Sequence, residues 1–376
     1  MSTPVVLICG TRPELIKLAP LMRHFGKGCA VVYTGQHHDH SLYSRIRSAL
    51  VPSMRFHELG IDGVGRGAQL GQAVSAVDEA LASYSRPVVL VQGDTTSALA
   101  GALAANAREL PLIHVEAGLR SHDRAMPEEH NRVLIDHLAD LCCAPTELNL
   151  KNLLAENIPH ERITVTGNTV VEALRTALPS MEERAALLSA RGLRRDGYVL
   201  ATLHRPENVD DPDQLARILR ELGRMPLPVV LPLHPRTSMR VRDFGLTRLL
   251  VPLLVFEPQS YPDFLSLAAE AALIVSDSGG IQEEASVLKR PVIVVRRSTE
   301  RPEIDGAFGV LVPPGPRIGA EAARWLCDVT GHRERLRLIP SPYGDGTACR
   351  RIVDAIGTLL PLEQTLTAPA HRLPAG

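Results

Sequence analysis

The sequence predicts an α/β protein built from two parallel-sheet domains, and two observations carry that reading. Short runs rich in Val, Ile and Leu alternate with amphipathic stretches of helical period, the signature of strands covered by helices on both faces. The alternation also occurs twice. Runs at 5–9, 30–34, 87–91, 112–115 and 163–166 form one series, and runs at 198–203, 229–233, 253–256, 273–276 and 292–295 form a second. Helical patterns at 15–25, 69–84 and 95–108 separate strands of the first series. A chain of 376 residues is long for one core, so two Rossmann-like domains are expected, the first over 1–168 and the second over 169–364. A helix at 347–360 closes the second domain, and 365–376, with Pro369 and Pro374, is expected to be a disordered tail.

Composition narrows the function classes. Lys and Arg number 41 against 42 Asp and Glu, a formal net charge of −1 that supplies no global field for nucleic acid or anionic lipid. No apolar stretch reaches the ~18 residues needed to span a bilayer, and the N-terminus lacks a charged segment followed by an apolar one. The six cysteines form no CxxC pair and mostly lie in or beside apolar runs, which fits free thiols in a reducing compartment. A cytoplasmic protein with neither nucleic acid nor membrane as partner is expected.

In open parallel sheets, ligands gather at the carboxyl ends of the strands. The polar residues after each run are therefore the candidates: Arg12, Asp94, His114, Glu116, His204, Arg205, His234, Asp277, Ser278 and Arg296. They predict a charged cleft between the domains. The most informative stretch is Ser276-Asp277-Ser278-Gly279-Gly280-Ile281-Gln282-Glu283-Glu284. Two glycines between a strand and a helix leave room for an anion beside backbone N–H groups and the positive end of the helix dipole. Glu284, one turn on, can accept from a hydroxyl such as that of a ribose.

The other constellations have both structural and chemical readings. In Gly10-Thr11-Arg12-Pro13-Glu14, Thr11 and Glu14 have capping-box spacing and Pro13 suits a first helical turn. Arg12 and Lys17 fit capping less well and are candidates for phosphate oxygens. Asp94 is an N-cap or a carboxylate aimed at ligand. Glu128, after Pro127, either serves the helix dipole or joins Glu116 in acid/base work on a sugar. Arg301 is a solvated loop residue or a bidentate phosphate clamp. His37-His38-Asp39-His40 is spaced too tightly to converge on one ion, so no metal site is expected.

Together these segments resemble the non-hydrolysing UDP-N-acetylglucosamine 2-epimerases over nearly the whole chain. The resemblance rests on Gly10-Thr11-Arg12-Pro13-Glu14 with Lys17, Gly93-Asp94-Thr95-Thr96, His114-Val115-Glu116-Ala117-Gly118-Leu119-Arg120 and Pro127-Glu128-Glu129 with Asn131-Arg132. Gly167-Asn168-Thr169, Asp277–Glu284 and Thr299-Glu300-Arg301-Pro302-Glu303 complete it. It implies a glycosyltransferase-B-like arrangement with the active site in the interdomain cleft, a homodimer, and interconversion of UDP-GlcNAc and UDP-ManNAc without a redox cofactor. It further implies that Asp94, Glu116, Glu128 and His204 are catalytic. Arg12, Lys17, Gln259, Phe264, Ser278, Gly279, Gly280, Glu284 and Arg301 would then hold the UDP-sugar. The Gln36-His37-His38-Asp39 segment departs from the Gln-His-x-Gln of relatives activated by their substrate, so such activation is not expected. A hydrolysing epimerase, a glycosyltransferase of the same architecture and a catalytically silent nucleotide-sugar sensor are the rival readings.

Overall fold

The computed structural model describes residues 5–35, 51, 54–61 and 65–359. The expectations for His37–His40 and for the 365–376 tail lie outside the described residues. Two compact units are present: one takes in the chain up to Leu119, Arg124–Thr169 and the stretch from Gly346, and the other takes in Arg120–Asp123 and Val170–Asp345.

The first unit follows the order β1 (Val5–Cys9), α1 (Arg12–Phe25), β2 (Cys29–Tyr33), β3 (Phe56–Glu58), α2 (Arg66–Leu81), β4 (Val88–Gln92) and α3 (Thr96–Ala107). It continues with β5 (Leu112–Val115), α4 (Pro127–Leu138), β6 (Leu141–Ala144), α5 (Glu147–Ala155) and β7 (Ile163–Val165). All seven strands are parallel in the order β3-β2-β1-β4-β5-β6-β7. The central strands are buried along their whole length, which is why they read as unbroken apolar runs rather than alternating ones. The order reverses between β1 and β4, so the loops leaving these strands diverge and open a crevice at the carboxyl edge.

The second unit begins with α6 (Val170–Ala177) and α7 (Met181–Ala190). There follow β8 (Val199–Thr202), the single turn α8 (Pro206–Val209), α9 (Pro212–Leu222), β9 (Val229–Pro232), α10 (Pro235–Asp243), β10 (Leu254–Phe256) and α11 (Tyr261–Glu270). The unit ends with β11 (Leu273–Ser276), α12 (Gly279–Leu288), β12 (Val292–Val295), β13 (Gly309–Val312), α13 (Arg317–Leu326) and α14 (Val329–Leu338). Its six parallel strands run β10-β9-β8-β11-β12-β13, the same winding with β8 and β11 in the places of β1 and β4.

The last helix, α15 (Ala348–Leu359), departs from the expected division. It groups with the first unit, packing on β6 and α1, and Arg351 Nη1 donates to Thr166 O at 3.2 Å. Its buried face, Ala348, Ile352, Ala355 and Ile356, is apolar and generic, so nothing local names the sheet it covers. Three strands also go beyond the two series expected. β3 is short and polar, β6 is Leu-Cys-Cys-Ala with no β-branched or aromatic residue, and β13 opens on glycine at a sheet edge. All six cysteines are free; Cys327 is exposed and Cys349 half-buried.

Candidate functional site

Carboxylates dominate the carboxyl edge of the first unit. β1 turns at Gly10 into α1, where Thr11 is the N-cap and Glu14 completes a capping box. Glu14 Oε2 accepts from Gly10 N (3.0 Å), Thr11 N (2.8 Å) and Thr11 Oγ1 (2.7 Å). Its Oε1 accepts from Thr95 Oγ1 at 2.6 Å, and Thr95 in turn caps α3. One buried side chain thus ties the loop after β1 to the loop after β4. Burial pushes the Glu14 carboxyl up to about 7, against hydrogen bonds from Thr95, Thr11 and Gly10 that favour its charged form.

Lys17, on the same helix, is buried and ion-paired. Its Nζ donates to Glu116 at 2.7 and 2.9 Å, and Gln92 Nε2, at the end of β4, donates to Glu116 Oε2 at 2.5 Å. Glu116 follows β5 with φ +68°, a left-handed conformation that a non-glycine residue holds only when its surroundings compel it. Asp94 receives Arg132 Nε at 3.1 Å, and Arg132 Nη2 contacts the same oxygen. Arg132 also pairs with Glu129, and Asn131 Nδ2 donates to Asp94 O at 2.7 Å. His114 joins the loop after β4 to α4: Nε2 donates to Gly93 O (2.9 Å), and Nδ1 lies 2.6 Å from Asp136 Oδ1. Asp136 accepts from Gly118 N at 3.1 Å. At Gly118, φ is +80° and a Cβ would lie 2.4 Å from Asn149 O, so only glycine fits.

Of the carboxylates expected to act, the structure buries Glu116 and half-buries Asp94, each against a cation. Glu128 stands exposed on the first turn of α4, while its neighbour Glu129 enters the Arg132 pair. Arg12 is half-buried at the start of α1. Sequence reasoning quoted Arg132 only as part of the resemblance and placed no weight on Gln92 or Asp136. A polar residue recurring on the buried face of an amphipathic helix, Arg132 then Asp136, was the available signal.

The second unit holds the glycine-containing turn expected to seat an anion. Ser278 caps α12 through its backbone and makes no side-chain capping bond. Ser278 N donates to Ser276 Oγ (3.0 Å), which pairs with Thr202 Oγ1 (2.7 Å) across the ends of β11 and β8. The first turn of α12 contains no acid of its own, which favours an anion beside its amide groups and dipole. The two glycines differ. A Cβ at Gly280 would meet nothing within 4 Å, whereas one at Gly279 would lie 2.6 Å from Arg301 Nη1 and 2.7 Å from Glu300 Oε1. Gly280 therefore opens the seat, and Gly279 makes room for a side-chain ion pair.

Asp277 is wholly buried beneath His204. It accepts from His204 N (3.1 Å), Arg205 N (3.0 Å) and Asn208 Nδ2 (3.1 Å), and His204 Nδ1 sits 3.0 Å from Oδ1. Burial opposes its charge, but the His204 ring, the Arg205 amide and Asn208 together hold its carboxyl below the usual range. With Nδ1 engaged, the His204 ring is oriented so that Nε2 is left for ligand. His234, at the end of β9, lies with its ring centroid 5.5 Å from that of His204.

Tyr261 Oη donates to Glu284 Oε1 at 2.8 Å and fixes that carboxylate. Gln259 Oε1 accepts from Arg191 Nη1 at 2.5 Å, and the Arg191 guanidinium lies 5.2 Å from the centre of the Phe256 ring. Phe264 is half-buried against the core of the unit. Asn208, Tyr261 and Arg191 were not among the expected site residues, and Asp277 was expected only as a polar group at the end of its strand. Asp277 lay inside the motif, whereas the others meet their partners only through tertiary packing. Among the described residues, no group of three or more His, Cys, Asp or Glu is placed to hold a metal ion, and no helix is long and apolar enough to cross a membrane.

Each unit is a doubly wound parallel α/β sheet, the class of fold that binds ligands at its carboxyl edge. Residues 23–357 match the family model for UDP-N-acetylglucosamine 2-epimerase. The chain belongs to that family. It is 38% identical to the UDP-N-acetylglucosamine 2-epimerase of Methanocaldococcus jannaschii, covering 92% of this chain and 97% of the relative. It is also 33% identical to the UDP-2,3-diacetamido-2,3-dideoxy-D-glucuronate 2-epimerase of Pseudomonas aeruginosa, covering 94% and 99%. A crystal structure of the M. jannaschii enzyme in complex with UDP-GlcNAc and UDP superposes with a TM-score of 0.84 at 36% identity, over 94% of this chain and 99% of that one.

Proposed function

We propose that this protein inverts C2 of UDP-GlcNAc, or of a closely related UDP-2-acetamido sugar, without releasing the free sugar. The observation that carries the reading is the pairing of two kinds of chemistry in one family member: an anion seat in the second unit and an array of carboxylates in the first. A binding protein needs the seat; only a reaction needs the array.

The chemistry follows from the substrate. The C2 proton of the sugar is not acidic in the ground state. When the bond from C1 to the UDP oxygen breaks, its electron pair leaves with UDP, and C1 gains oxocarbenium character. The C2 proton then passes to a carboxylate, and its bonding pair forms the C1–C2 double bond of 2-acetamidoglucal. Return of a proton to the other face of C2, with attack of the UDP oxygen on C1, gives the epimer. The route is redox-neutral and calls for no redox cofactor. It does demand that UDP stay bound as a stabilised leaving group with water excluded.

In this reading Ser278, Gly279 and Gly280 with Arg301 hold the diphosphate, Arg12 and Lys17 add cationic support, and Glu284 takes the ribose. Gln259 and Phe264 border the uracil. His204, oriented by Asp277, serves the leaving diphosphate, while Asp94, Glu116 and Glu128 divide the proton transfers. A homodimer is part of the same proposal. The P. aeruginosa relative, named for a 2,3-diacetamido glucuronate, supports extending the sugar panel to substituted forms.

Proton NMR of the enzyme with UDP-GlcNAc in D₂O tests the proposal. Deuterium entering C2 with the UDP linkage intact is the expected result. Accumulating free 2-acetamido sugar would reassign the protein as a hydrolysing epimerase. No exchange with any UDP-sugar of the panel would point to a glycosyltransferase or a sensor.

A further inference from the structure

Arg301 is held on two sides. Its Nε donates to Glu283 Oε1 at 2.7 Å, and its Nη1 pairs with Glu300 Oε1. The other oxygen of Glu300 accepts from Arg296 Nη2 at 2.8 Å. Arg296, just past β12, is 1% exposed, and its Nε and Nη1 have no hydrogen-bond partner among the described residues. Its next acid, Glu207, is 3.8 Å from Nε, and Arg205 Nη2 is 4.0 Å from Glu300 Oε1. A buried guanidinium that satisfies so few donors is a poor way to fill space; an apolar side chain of like volume would do so without desolvated N–H groups. What Arg296 does supply is the second anchor of Glu300.

We propose that Arg296 is a positioning residue for diphosphate recognition: it holds Glu300, and Glu300 with Glu283 sets the plane in which Arg301 meets the diphosphate. This rests on the reading above that Arg301 contacts that group. Charge gives the arrangement a second consequence. Arg296 and Arg301 balance Glu283 and Glu300. Without Arg296, the two carboxylates beside Gly279 would keep only Arg301 and, at 4.0 Å from Glu300, Arg205, and an arriving diphosphate would meet less positive charge. The relay also accounts for Gly279, whose missing Cβ leaves the space that the Arg301–Glu300 pair occupies.

The test compares UDP with uridine, which lacks the diphosphate, by titration calorimetry on the intact protein. Arg296→Gln is expected to weaken UDP roughly tenfold, as for one lost charge-assisted hydrogen bond, and to leave uridine within about twofold. In an Arg301→Ala background the same change should add nothing. Equal losses for both ligands, no loss for UDP, or a full further loss in that background would each overturn the proposal. Arg301→Ala with unchanged UDP affinity would instead overturn the reading on which it rests. Should Arg296→Gln not fold, Arg296→Lys keeps the charge without the fork and carries the same comparison, with a smaller loss for UDP and none for uridine.

Discussion

In the first unit, the loops leaving β1 and β4 are tied by the Glu14 carboxylate; in the second, the loops leaving β8 and β11, which occupy the same places in the sheet, are tied by Asp277. Both acids are buried, and both accept backbone N–H groups at the start of a diverging loop. They differ in company. Glu14 is met by amides and hydroxyls, and burial pushes it up to about 7. Asp277 is met by the His204 ring as well, and its carboxyl is held below the usual range. Topology fixes where such a keystone sits, and the partner decides its charge. The Glu14 keystone holds a turn, whereas the Asp277 keystone also aims an imidazole.

The remaining groups extend the contrast. In the first unit Glu116 is matched by Lys17 and Asp94 by Arg132. In the second, the start of α12 offers donors with no acid in its first turn. One edge is arranged around paired carboxylates, and the other presents a helix start with open amide donors.

The comparison can be broken most strongly at Asp277. Asp277→Ala leaves an imidazole and two loop amides without their acceptor and is expected to cost about 3–5 kcal/mol of stability by urea denaturation. Turnover of UDP-GlcNAc should fall at least ~100-fold as His204 loses its orientation. Wild-type stability with normal turnover would remove the keystone role.

Glu14 should respond to pH with the opposite sign. Its carboxyl rises from an ordinary 4.5 to about 7 on folding, so the folded state holds the proton longer than the unfolded one. Its contribution is greatest below ~4.5 and is lost as pH rises to ~7, a swing on the order of 3 kcal/mol. The contribution of Asp277 runs the other way, present above its unfolded value and lost as pH falls through its lower folded value. Glu14→Gln should flatten the stability profile between pH ~4.5 and ~7 relative to wild type, as read by chemical denaturation across that range. An unchanged slope would show that Glu14 stays ionised throughout.

The two glycines of the seat sharpen the comparison within the second unit. Gly279→Ala should cost ~1–3 kcal/mol, because its Cβ meets the Arg301–Glu300 pair. Gly280→Ala lies in open space on a helix and should be neutral or stabilising by up to ~1 kcal/mol, yet weaken UDP. Thermal melts with and without UDP separate the two outcomes. The smallest effect is expected at Tyr261→Phe. Loss of one hydrogen bond to Glu284, worth ~1 kcal/mol, should raise KM about fivefold and leave kcat unchanged.

Much of this was legible in the chain. The ten apolar runs gave ten of the strands, and the residues that follow them, among them Asp94, Glu116, His204 and Ser278, lie on the carboxyl edges. Strands β3, β6 and β13 escaped because a polar, a cysteine-rich and a glycine-led segment gain their strand character from neighbours in the sheet. Lys17 reads from the chain as a cation for phosphate, and its ion pair with Glu116, 99 residues on, could not be seen locally. The two glycines read alike because the side chain that fills one space and not the other comes from a later loop.

By itself, then, the sequence determined the local things: ten of the strands and the helical periods between them, where these turn, and which polar groups stand at the turns. Hydrophobic period, caps and glycines act over a few residues and can be read one segment at a time. Only the tertiary structure decided the pairings. Lys17 and Glu116 are 99 residues apart, Asp277 and His204 are 73, and α15 returns to the first sheet from the far end of the chain. A side chain's charge is set by what packs against it, and that neighbour is chosen by the winding of the sheet.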